Sequence, residues 1–64
     1  MGLDLTAALA RLPADQRLVA SLFYGEDLAI EDIAAAAGVP VGTVKSRLHH
    51  ARSALKIILE GGQS

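Results

Sequence analysis

Ile33-Ala34-Ala35-Ala36-Ala37-Gly38-Val39-Pro40, followed at once by Val41-Gly42-Thr43-Val44-Lys45-Ser46-Arg47-Leu48-His49-His50-Ala51-Arg52, is the stretch whose reading decides the fold. An alanine-rich segment from about Ile30 to Ala37 reads as a short helix, with Ile33, Ala34 and Ala37 on one side and Glu31 and Asp32 on the other. Gly38 sits where the chain must leave that helix, since glycine takes the left-handed conformation without a steric cost. Pro40 starts the next helix, because it has no N–H to lose and its φ is already helical. That helix runs from about Val41 to Leu59.

Placing Val44 at the origin of a helical wheel puts Leu48, Ala51, Leu55 and Ile58 within about 40° of it. This stripe is the inward face. Gly42, Ser46, His49, His50 and Ser53 fall opposite, with Lys45 and Arg52 on one shoulder and Arg47 on the other. No acid occurs between Gly42 and Ile58, whereas a merely solvated helix mixes Glu with Lys. Small hydrogen-bonding residues flanked by cations suit a major groove, where side chains near the helix start reach base edges and flanking cations meet phosphates. Helix, tight turn and basic second helix make the layout of a helix-turn-helix DNA reader.

Upstream, Leu5, Leu9 and Leu12 recur at helical spacing, so residues 4–12 read as a first short helix, with Asp4 and Arg11 placed to suit its dipole. Pro13 reads as the first residue of a second helix that ends near Tyr24, before the Gly25-Glu26-Asp27 turn. On it Leu18 and Leu22 define one face, and Val19 and Phe23 another about 100° round. So wide an apolar arc fits a helix packed on two sides, or else a docking surface for a protein.

The totals narrow the function classes. A 64-residue chain forms one small domain, here residues 1–60 with a disordered tail at 61–64. It has no cysteine, hence neither disulfides nor thiolate metal sites, and its two histidines are adjacent and point apart on a helix. No metal or cofactor is implied. The longest apolar stretch is interrupted by Gly38 and Pro40, well short of the ~20 residues of a membrane span, and there is no signal peptide. A soluble cytoplasmic protein with no membrane contact is the expectation. The net charge of −1 conceals a division: residues 1–42 sum to −4 and residues 43–64 to +3. The basic share falls on the reading helix. An enzyme finds no support, for there is no nucleophile–base pair and no phosphate loop, and Asp27, Glu31 and Asp32 lack the spacing of a calcium loop.

Beyond this frame, a longer pattern runs from Leu12-Pro13-Ala14-Asp15-Gln16-Arg17 through Ile33-Ala34 and Gly38-Val39-Pro40-Val41-Gly42-Thr43-Val44-Lys45-Ser46-Arg47-Leu48 to Ala51-Arg52 and Leu55. It resembles region 4 of bacterial sigma-70 family sigma factors of the extracytoplasmic-function class, the domain that binds the minus-35 promoter element and docks on the flap of the RNA polymerase beta subunit. LuxR-type regulators share the Thr-Val-Lys-Ser helix start, but the flanking residues resemble sigma factors more. The fold implied is all-α: a small four-helix domain containing a helix-turn-helix, winged-helix-like but without a wing. By the resemblance, Lys45, Ser46, His49 and His50 face DNA bases, while Thr43, Arg47, Arg52 and Lys56 serve the DNA backbone. Leu18, Val19, Leu22 and Phe23 form the candidate partner surface, for the beta flap or an anti-sigma factor.

Three positions depart from the family pattern. His50 stands where arginine is usual, so an always-charged contact is replaced by an imidazole, and affinity or sequence preference is expected to differ. Asp27 replaces a usual glycine, and Ala29 replaces a usual Ser or Thr cap, a loss of ~0.5–2 kcal/mol. The resemblance includes no counterpart of the sigma region that melts the minus-10 element, so the expectation is an excised domain of a longer protein or a free-standing module.

Overall fold

A computed structural model describes residues 4–61. Among them lie four helices and no strand: α1 (Leu5–Leu9), α2 (Ala14–Ala20), α3 (Ile30–Ala37) and α4 (Val41–Leu59). The all-α, four-helix expectation holds. Asp4 caps α1, its carboxylate accepting from the Ala7 N–H at 2.8 Å. The chain leaves α1 through a tight turn in which the Arg11 and Leu12 N–H groups donate to the Ala8 and Leu9 carbonyls. The Arg17 guanidinium donates to the Ala10 carbonyl at 3.4 Å, bridging this corner to α2.

Pro13 lies one residue outside the helix it was expected to begin, and Pro40 flanks α4, whose bounds are those expected. Pro13 and Pro40 have helical φ (−55° and −64°) but extended ψ (both 153°). The pyrrolidine ring locks φ alone. With ψ free, each proline serves as the flanking residue, and its carbonyl accepts the first helical bonds: Arg17 on Pro13, Val44 on Pro40. The second helix also changes form before it ends. After Ala20 it widens into one π-helical turn, Ser21–Gly25.

α3 stops as the sequence leads one to expect. Gly38 is left-handed (φ 71°, ψ 32°), and the Gly38 and Val39 N–H groups both donate to the Ala34 carbonyl, at 2.9 and 3.1 Å. The second of these is the long closing bond of a Schellman motif. The core then assembles from all four helices: Ala8 and Leu12 from α1 and its turn, Val19 and Ala20 from α2, Ile33 and Ala34 from α3, and Val44, Leu48, Ala51 and Leu55 from α4. Four of these ten are alanines, which let helix axes approach closely. α4 is the spine, packing against each of the other three. Its 19 residues span about 28 Å, and they account for the elongated 37 × 19 × 15 Å envelope.

Gly61, expected in the tail, is held in a turn by its N–H to the Ile58 carbonyl (3.1 Å). The rest of the expected disordered tail, 62–64, lies outside the described residues.

Candidate nucleic-acid interface

The inward stripe of α4 is buried from Val44 to Leu55, with Ile58 half-buried, and this fixes what the opposite face can present. Gly42, Lys45, Ser46, His49, His50, Arg52, Ser53, Lys56 and Ile57 are exposed; Thr43 and Arg47 are half-buried. Among the described residues Arg47 Nε pairs with Asp15 Oδ2 at 3.8 Å, leaving Lys45, Arg52 and Lys56 without a carboxylate partner. An exposed pair of this kind contributes ~0–1 kcal/mol. Arg47 is thus turned toward α2, while the other three cations project freely.

The residues expected at the bases and at the backbone divide into two groups. Lys45, His49 and Arg52 line a hollow of about 240 Å³ whose floor is Phe23, Ile30 and Leu48. His49 and Arg52 continue with Ser53 and Lys56 into a second hollow. One shoulder of α4 is therefore a continuous basic strip, with an apolar floor along its first hollow. His50 lines neither hollow. The two imidazoles meet edge to face, with centroids 5.7 Å apart, and of the pair only His49 lines the hollows.

The candidate partner surface does not survive as one patch. Val19 is fully buried (0% exposed) and belongs to the core, because α2 packs that side against α4. Phe23 is half-buried and sits beside Lys45 and Arg52, its ring edge to face with Tyr24 at 5.0 Å. Leu22 is half-buried, and of the four only Leu18 is exposed (48%). A helix wheel of α2 alone cannot tell which neighbour lies across from each face. What it missed is a different apolar groove of about 260 Å³, where Leu5, Tyr24, Leu55 and Leu59 meet beside Arg52 and Lys56. Leu5 and Leu59 are 40% and 42% exposed there. Their exposure depends on how α1 crosses the end of α4, which no local pattern encodes. Among the described residues no helix is long and apolar enough to cross a membrane.

A family model described as "Sigma-70, region 4" matches residues 2–55. The chain is 45% identical over 56 residues to the extracytoplasmic-function (ECF) RNA polymerase sigma factor EcfG of Rhodopseudomonas palustris, covering 88% of this chain and 31% of that protein. It is 45% identical over 56 residues to the ECF sigma factor SigE of Mycolicibacterium smegmatis (88% and 22%), and 40% identical over 48 residues to SigW of Bacillus subtilis (75% and 26%). The chain thus spans less than a third of the length of these relatives. No solved structure matches it. A tight αL turn feeding a long helix with an acid-free exposed face, together with a family match over nearly the whole chain, places it: the chain belongs to the region 4 family of sigma-70 factors.

Proposed function

We propose that this chain recognises the minus-35 promoter element as region 4 of an extracytoplasmic-function sigma factor, and so directs RNA polymerase in transcription initiation. The observation that carries this reading is the outward face of α4, where Lys45, Arg52 and Lys56, without a carboxylate partner among the described residues, flank Ser46, His49 and His50. α4 enters the major groove by its first turns. Lys45 donates to guanine O6 or N7, and the Ser46 hydroxyl and the imidazoles accept or donate at neighbouring base edges. Arg52 and Lys56 neutralise phosphates from one shoulder, and Thr43 and Arg47 serve the other, Arg47 after leaving Asp15. Phosphate contacts set affinity and register; the base edges set sequence choice.

The test is selection of duplexes from a randomised pool, followed by titration of the selected duplex and a scrambled one at two salt concentrations. Binding falls steeply with salt, with a log–log slope of about −0.9 for each phosphate neutralised. Lack of preference over scrambled DNA sinks the specificity claim. Lys45→Ala and Ser46→Ala relax sequence choice, whereas Arg52→Ala weakens all duplexes about equally.

A second surface faces protein. The Leu5–Tyr24–Leu55–Leu59 groove, with two half-exposed leucines, supports docking on the beta flap of RNA polymerase better than the divided α2 arc does. An anti-sigma factor is the other candidate occupant. Capture by a flap fragment discriminates between the grooves: Leu59→Asp abolishes it, and Leu18→Asp leaves it intact.

A further inference from the structure

Gly42 is the second residue of α4, and nothing within the domain calls for a glycine there. Glycine is unfavourable in a helix because it loses the most backbone freedom and contributes no side chain. Two ordinary reasons for tolerating it are absent. Gly38 and Gly61 have positive φ (71° and 100°), a conformation that favours glycine, whereas Gly42 is not among the positive-φ residues and lies within regular helix. Nor is there crowding: a Cβ built on Gly42 meets no heavy atom within 4 Å. The fold would accept alanine and gain from it.

Its position supplies the missing reason. Gly42 is exposed and lies on the same side of α4 as Ser46, one turn (about 6 Å) before it, and as His49, two turns before it. We infer that Gly42 is a close-approach position for the duplex: the DNA lies against its bare Cα, and the missing side chain sets how deeply α4 seats in the groove. The inference rests on the reading of α4 as the DNA-contacting helix. It makes Gly42 a determinant of specificity that acts by what it lacks. A methyl group there lifts the first turns of α4 outward, and the hydrogen bonds of Lys45 and Ser46 to base edges weaken steeply with that displacement. Contacts of Arg52 and Lys56 with phosphates are long-ranged and change little.

The test compares the full 64-residue chain with its Gly42→Ala variant, using the duplex selected by the unaltered chain and its scrambled counterpart. The variant keeps or raises the thermal midpoint. Its affinity for the selected duplex falls at least about tenfold, its affinity for scrambled duplex changes less than about threefold, and the salt slope is unchanged because no charge is altered. Retention of the selected-duplex affinity by Gly42→Ala overturns the inference while leaving the DNA reading in place. A lowered thermal midpoint overturns it too, since the glycine then serves the fold. If the unaltered chain itself shows no preference for any duplex, the DNA reading fails and takes the inference with it.

Discussion

The two turns that flank α3 are built to different standards. The one leading into α4 is closed by Gly38 at φ 71°, by two N–H donors on the Ala34 carbonyl, and by the Pro40 carbonyl accepting from both Thr43 and Val44. The one leading out of α2 passes through a π-helical turn, holds Asp27 at φ 57°, and begins α3 at Ala29 with no side-chain cap. Both link successive helices, but only the first leads directly into α4. Neither α3 nor α4 begins with a side-chain cap; what the turn into α4 has in addition is the double closure on the Ala34 carbonyl at a glycine, where the turn out of α2 has an aspartate at positive φ.

Breaking the better-built turn has the largest effect. Gly38→Ala forces a Cβ into the left-handed region at a cost of about 1–2 kcal/mol, roughly 4–16 °C in Tm for a domain of this size, read by thermal denaturation. The same variant loses specific duplex binding although Gly38 lies off the face of α4 proposed to meet the bases. Repairing the weaker turn goes the other way. Ala29→Ser supplies the missing cap and raises stability by about 1 kcal/mol in urea unfolding, with no change in duplex affinity. Asp27→Gly relieves the positive φ for less than about 1 kcal/mol, because aspartate tolerates that region better than most residues and glycine adds freedom to the unfolded chain. A smaller effect belongs to the α2 side of the reading helix. Asp15→Asn removes the exposed pair with Arg47 and costs at most about 1 kcal/mol, while freeing Arg47 to tighten binding to every duplex alike. A Gly38→Ala variant as stable as the unaltered chain would erase the contrast between the turns.

The departures noted in the sequence acquire physical meaning from these turns. Asp27 stands at a position whose φ is positive, which is why a glycine is the natural occupant. Ala29 flanks α3 with its backbone in cap geometry and no oxygen to offer. Neither prevents folding, because Ile33, one turn later, is fully buried and anchors α3 through packing. Packing of an apolar face contributes more to a short helix than any single cap does.

What the sequence by itself determined is everything carried by local periodicity and local conformational preference. The bounds of α3 and α4, the left-handed glycine between them, the buried stripe Val44–Leu48–Ala51–Leu55 and the outward basic face all follow from spacing at 3.6 residues per turn and from the special status of glycine. Tertiary structure alone decided which apolar faces would be covered. It buried Val19, set Phe23 beside Lys45, paired Arg47 with Asp15 and opened a groove between Leu5 and Leu59. Each of these depends on where one helix crosses another, a relation between residues distant in the chain that no pattern within a single helix contains.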